Sequence, residues 1–207
     1  GVYMHPTSQM LAGRPDAAIA TLDAALAGWK ARGFHSMHNM ALYTRVNALL
    51  HLGEGRRAHA TMVEQWKLLE ASFLLRAKAS RIRGYDARGR AVLAAAGEGS
   101  ADEAALREAL SWADRLDKER TPWSDGHAFA LRAAVALRRR DPARARALYG
   151  RAQAAFLQRD MELFARAAER QAAALAQDDA HVARVDSWMR THGIADPSRT
   201  AAALIPR

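Results

Sequence analysis

Residues 121–164, TPWSDGHAFALRAAVALRRRDPARARALYGRAQAAFLQRDMELF, decide the fold. Thr121-Pro122 and Asp141-Pro142 each join a side chain that can accept from the free N–H groups of a first helical turn to a proline, whose missing N–H has no intrahelical partner there anyway. After the first cap, Trp123, Ala130, Leu131, Ala134 and Leu137 fall on one helical stripe. After the second, Ala145, Leu148, Tyr149, Ala152 and Phe156 do the same. Two such stripes predict an antiparallel helix pair that hides them against each other and offers further apolar surface to neighbouring pairs.

The rest of the chain has the same character. Alanine, leucine, arginine and glutamate, all good helix formers, dominate its 207 residues, and no alternating β-branched run occurs. The expected class is therefore all-α. With no cysteine there is neither a disulfide framework nor thiolate chemistry, which is compatible with a reducing cytoplasm, the expected location. No apolar run approaches the roughly 20 residues of a membrane span, so no membrane partner is expected. The opening Gly1-Val-Tyr-Met-His-Pro6 lacks the zones of a signal peptide, and a start without methionine predicts a fragment or a processed form. The net charge of +9 raises the question of nucleic acid, but the arginines are dispersed over many helices among acids, which argues against it.

Working outward, a single helical-repeat domain over 1–207 is expected: 1–12 a truncated first helix, 13–192 helix pairs, 193–207 a C-terminal capping helix and tail. Predicted helices run from Pro15 to about Arg32, His35 to Leu52, Arg56 to Ala71, Phe73 to Ala96 with Ser72 as its cap, and then to about Glu119 from a Ser100–Glu103 capping box. Gly84 and Gly89 either weaken their helix or permit a close helix approach. Helices also cover Met161–Gln177, His181–His192 and the stretch after Asp196-Pro197. The second helices of successive pairs begin near Pro15, Arg56, Ala101, Pro142 and Asp179, a spacing of roughly 37 to 45 residues, within the range of helical repeats. Trp29, Trp66, Trp112, Phe156 and Trp188 recur well inside them, and with Trp123 they are the expected core wedges. The segment Ala25–Phe34 also lies in phase over Ala152–Met161. A solenoid of helix pairs follows as the expected architecture.

Trp29-Lys-Ala-Arg-Gly-Phe34 followed by His38, Glu64-Gln-Trp66, Ser72-Phe-Leu-Leu-Arg76, Pro122-Trp123, Asp160-Met161 and Trp188-Met-Arg-Thr-His-Gly-Ile194 with Asp196-Pro197, Arg199, Leu204 and Pro206 carry a resemblance. In this order, from about Gly13 onward, they resemble the tetratricopeptide-like C-terminal helical region of large bacterial serine/threonine protein kinases. The tail departs slightly, ending on Ile205-Pro206-Arg207 where a small residue is expected after the proline. The resemblance implies a right-handed solenoid of antiparallel helix pairs, a kinase domain lying upstream, and no family catalytic residue within this segment.

Active-site patterns are missing from the residues themselves. Gly53-Glu-Gly55 and Gly97-Glu-Gly99 lack the third glycine of a phosphate loop, and there is no Val-Ala-Ile-Lys, His-Arg-Asp, Asp-Phe-Gly or Walker lysine. The expectation is a segment without enzymatic activity, cofactor or metal. His35 and His38 could face one metal but lack further ligands, and His127, one turn after Trp123, reads as a hydrogen-bonded core histidine. Arg138, Arg139, Arg140 and Arg144, with Arg146, form the densest basic cluster. Their forked guanidiniums could dock an acidic peptide or phosphate, against the simpler expectation of a solvated turn. The function expected is protein interaction and regulation, the partner being another protein or other domains of the parent chain. The alternative is a basic helical-repeat module associated with nucleic acid, or the sensor arm of a transcriptional regulator.

Overall fold

A residue with positive φ follows each described α-helix except the last, and the turns after the odd-numbered helices recur most regularly. The computed structural model describes residues 4–28, 33–97 and 101–207. Among these the chain forms only helices: α1 (Met4–Leu11), α2 (Pro15–Ala27), α3 (Ser36–His51), α4 (Gly55–Ala71), α5 (Lys78–Ala96), α6 (Glu103–Asp117), α7 (Pro122–Arg138), α8 (Pro142–Leu157), α9 (Glu162–Leu175), α10 (Asp179–Thr191) and α11 (Pro197–Leu204). After α1, α3, α5, α7 and α9 a residue turns into the left-handed region: Gly13, Gly53, Gly97, Arg140 and Gln177. At four of these turns the next N–H reaches back to the last helical turn, Arg14 to Gln9, Glu54 to Leu49, Asp141 to Ala136 and Asp178 to Ala173, at 2.8–3.1 Å. This closure satisfies carbonyls that would otherwise be orphaned and reverses the chain sharply.

Arg140 and Gln177 hold that conformation with a Cβ, at φ 60° and 55°. The left-handed region costs a non-glycine residue roughly 1–2 kcal/mol, partly offset by the greater unfolded-state entropy of glycine. Arg140→Gly is therefore expected to stabilise the chain by about 0.5–1 kcal/mol. A lower urea midpoint for the variant would show instead that the Arg140 side chain makes a stabilising contact.

Each of α2, α4, α6 and α8 packs against the helix before it and the helix after it, while α3 touches α5 and α5 touches α7 directly. The contacts between odd helices advance in step. Asn39 and Tyr43 of α3 meet Ser80, and Asn47 meets Arg90. Further along, Asp86, Gly89 and Leu93 of α5 meet His127, Leu131 and Arg138 of α7. The three helices are thus parallel. Glycine makes the approach possible, since a Cβ on Gly89 would sit 2.5 Å from a Leu131 methyl and one on Gly84 would sit 3.2 Å from the Trp66 ring. Of the two roles open to these glycines, close approach is the one the fold uses.

The core has two main parts. One spans α3–α7 around Trp66 and Trp112; the other spans α7–α11 around Tyr149, Phe156 and Met189. Helix α7 belongs to both and is buried on nearly every side, not along a single stripe.

Within 1–12, expected to be a truncated first helix, residues 4–11 are helical. Several local expectations change elsewhere. Ser72 ends α4 instead of capping the next helix; its hydroxyl bonds the Leu69 carbonyl, Phe73 turns left-handed, and a 3-10 turn over Leu74–Arg76 intervenes before α5. Asp102 caps α6 through the N–H groups of Ala104 and Ala105. Ser100 lies outside the described residues, as does Trp29. The caps at Thr121, Asp141 and Asp196 form as expected.

Helix α11 does not continue outward. It packs against α3 and α9, and the Ala195 N–H bonds the Leu11 carbonyl at 2.9 Å, so the C-terminal segment returns across the odd helices to the start of the chain.

Candidate functional site

The inner side of α3, α5, α7 and α9 forms a channel, and its two halves differ. Around the C-terminal ends of these helices residues 200–207 occupy it, leaving beside them a cavity of about 250 Å³ lined by Leu50, Gly55, Arg90, Ala94 and Arg138 among others. Leu204 and Ile205 are buried in the core, and the main-chain oxygens are held one after another by side chains. Arg90 donates to Ala203, the Gln171 amide to Ile205 at 2.9 Å, the Tyr149 hydroxyl to Pro206 at 2.6 Å, and the Arg138 guanidinium to Arg207 at 2.9 and 3.0 Å. Arg138 also bonds the Leu93 carbonyl. His51 faces the Thr200 hydroxyl at 3.3 Å, and burial pushes this histidine below the usual range, so it sits there neutral. Burial likewise raises the Tyr149 phenol, which stays a protonated donor.

Toward the N-terminal ends the channel stays open as a cavity of about 140 Å³, lined by Tyr43, Asn47, Arg83, Asp86, Arg90, Trp123, His127 and Phe164 among others. A continuous polar relay forms its floor. The Trp123 indole N–H donates to His127 Nε2 at 2.9 Å, and an indole nitrogen only donates, so Nε2 carries no proton in this geometry. The ring proton of the neutral imidazole therefore lies on Nδ1, 3.1 Å from Asp86 Oδ1, close but off the line of a well-formed hydrogen bond. Asp86 Oδ2 accepts from Arg90 at 2.7 and 2.9 Å, and Asn47 Oδ1 accepts from Arg90 at 3.0 Å. Burial pushes the Asp86 carboxyl up, but the charge of Arg90 and its hydrogen bonds, with the His127 Nδ1–H facing Oδ1, outweigh burial and hold it at about 2.

An aspartate orienting a histidine resembles half of a hydrolytic triad. Here the nitrogen that would act as base is already engaged by Trp123, leaving no lone pair for a nucleophile in this geometry. His127, 3% exposed, sits as the hydrogen-bonded core residue that its spacing predicted, with Phe156 and Phe164 edge-on to its ring.

The basic cluster read from the turn does not stay together. Arg138 is 6% exposed and engaged with main-chain carbonyls, so it is removed from any outward-facing patch. Arg139 pairs with Glu103, Arg140 is the exposed left-handed residue of the turn, and Arg144 is exposed, with its backbone N–H on the Asp141 cap. Of the aromatics, Trp66, Trp112 and Phe156 are core residues, the first two meeting edge to face at 5.4 Å with Arg88 lying over both. Trp123 and Trp188 are only half-buried. The first lines the cavity; the second stacks on His192 at 4.0 Å beneath Arg166. His38 Nδ1 accepts from the His35 N–H at 3.0 Å, and no cluster of three or more potential metal-binding side chains occurs among the described residues. No helix among these residues is long and apolar enough to cross a membrane.

Asp86, Arg90, Arg83, Asn47 and Gln171 were not singled out by the sequence. The available signal was Asp86 and Arg90, spaced i,i+4 on the face that also carries Ile82 and Leu93. No family model, no curated protein and no solved structure matches the chain.

Proposed function

We propose that this chain is a non-catalytic protein-interaction and regulatory module: a right-handed solenoid of tetratricopeptide-type helix pairs, forming the C-terminal part of a bacterial serine/threonine protein kinase. The recurring left-handed turn at 13, 53, 97, 140 and 177 supports the repeat, as does the parallel series of odd helices. The observation that carries the interaction reading is the occupied half of the channel. Four side chains there hold a segment of polypeptide by its main-chain oxygens, and every peptide offers such oxygens. The partner is a protein or other domains of the parent chain, met in a cytoplasmic setting.

The nucleic-acid alternative loses support from the way arginines are engaged. Arg81, Arg90, Arg132, Arg139, Arg166 and Arg170 all pair with carboxylates of the chain itself, which reduces the charge left for phosphates.

The test is deletion of residues 13–207 from the parent protein. Phosphorylation of a generic substrate is expected to persist while partner binding is lost. Unchanged partners together with lost phosphorylation would overturn the proposal, as would phosphate transfer by the isolated chain.

A further inference from the structure

We infer that the open half of the channel is a binding site for a compact carboxylate on an apolar body. This goes beyond the interaction reading, because it assigns the cavity a ligand chemistry of its own.

The argument rests on which wall groups are already engaged. Asp86 is the single carboxylate among the lining residues, and both its oxygens face partners, His127 and Arg90. Arg90 is engaged at all three nitrogens, Nε by Asp86, Nη1 by the Ala203 carbonyl and Nη2 by Asn47. Trp123 Nε1 and His127 Nε2 satisfy each other, and the Tyr43 hydroxyl donates to the Ser80 carbonyl. Two groups remain among the described residues. Arg83 has no carboxylate partner; its one hydrogen bond is to the weak acceptor Met40 Sδ at 3.6 Å, and its guanidinium lies 5.9 Å from the Trp123 ring centre. Asn47 accepts from Arg90 through Oδ1, and since arginine only donates, that fixes the amide with Nδ2 directed elsewhere and without a protein partner.

Both remaining groups are donors, and one is charged. A ligand that completes the site must therefore supply acceptors, and a carboxylate matches a guanidinium fork best. Trp123, Phe164, Met161 and Ala87 supply apolar walls for the body that carries it. The helices frame the same preference. Helix α7 reaches the cavity with its first turn, at Trp123, where a helix N-terminus favours negative charge; α3 and α5 line it from mid-helix positions. A cavity of about 140 Å³ holds one phenyl-sized group.

The chemistry could arrive as a free acid or as a glutamate beside an apolar residue in a peptide. The experiment titrates the full chain with phenylacetate, with its neutral analogue phenylacetamide, and with acetyl-Ala-Glu-Phe-amide, following the Trp123 indole N–H signal by NMR. Phenylacetate or the peptide is expected to shift that signal saturably, with phenylacetamide at least about tenfold weaker, as suits a charge-assisted bond. Arg83→Gln is expected to weaken the acid by a similar factor while leaving the melting temperature near that of the parent. If that variant does not fold, Arg83→Lys, which keeps the charge and loses the fork, must weaken binding instead. Binding by the peptide alone would assign the site to a protein partner, and binding by the free acid alone to a small molecule; either supports the site. No saturable shift with either acid, or equal affinity after the Arg83 substitution, would overturn it. The deletion test on the parent reads partner recruitment separately, so the two proposals fail independently.

Discussion

Asp86→Ala is expected to lower stability by about 3–5 kcal/mol, the range for removing one member of a buried ion pair. Arg90 is 4% exposed and would keep its charge in a site where Asn47 and the Ala203 carbonyl are its remaining acceptors. In a chain of this length such a loss lowers the melting temperature by roughly 6–20 °C. The same group sets an acid limb. Its folded pKa is depressed, to about 2 from an ordinary value near 3.8, so the stability it adds is complete above the unfolded value and disappears as pH falls toward the folded one. The parent should therefore lose about 2 kcal/mol more than Asp86→Ala between about pH 5 and pH 2. Replacing both partners, Asp86→Ala with Arg90→Met, should recover part of the loss, because no unpaired charge is left behind. Guanidinium melts of the parent, the single and the double variant at neutral pH test this. A double variant no more stable than the single would mean that the Arg90 bond to Ala203 dominates and the ion pair does not.

How much of this arrangement the sequence carries depends on the range of the interaction. Caps are local, and Thr121-Pro122, Asp141-Pro142 and Asp196-Pro197 could be read and form as read. The turn before Asp141-Pro142 was legible from its cap, but nothing in the residue types of Arg140 and Gln177 announces the left-handed conformation each adopts, which glycine takes at Gly13 and Gly53. Arg138 shows the limit most clearly. In a run of three arginines at a turn it looks like solvated charge, yet it lies seven residues after Leu131 and four after Ala134, on the buried face of its helix. Helix phase could have placed it inside, but nothing local names its acceptor, the main chain of Arg207 at the far end of the sequence. Asp86 and Arg90 share this character, visible as a spaced pair and interpretable only once α3, α7 and the tail surround them. Of the repeated aromatics, Trp66, Trp112 and Phe156 are buried in the core. Trp188 follows the same phase but sits toward the end of the stack, where fewer elements remain to cover it.

Truncation after Ala203, removing Leu204 to Arg207, is expected to cost on the order of 5 kcal/mol, while Arg207→Ala should change stability by no more than about 0.5 kcal/mol. The contrast follows from what the channel holds. Leu204 and Ile205 are 5% and 0% exposed, and each buried side chain of this size contributes about 1.5–3 kcal/mol. Their removal also leaves Gln171, Tyr149 and Arg138 without the oxygens they donate to. Part of that penalty is relieved as water enters the opened channel, which is why the estimate stays near the sum of the apolar terms. Arg207 is different. Its side chain is exposed, and the bonds it receives from Arg138 end on its main-chain oxygen, which alanine retains. Arg138→Met should therefore fall between the two, losing the bonds to Leu93 and Arg207 while keeping the apolar packing. Denaturant melts of the three variants should rank truncation first, Arg138→Met second and Arg207→Ala last. A truncated chain as stable as Arg207→Ala would mean that residues 204–207 lie against the channel without being held by it, and the main-chain grip behind the interaction proposal would go with them.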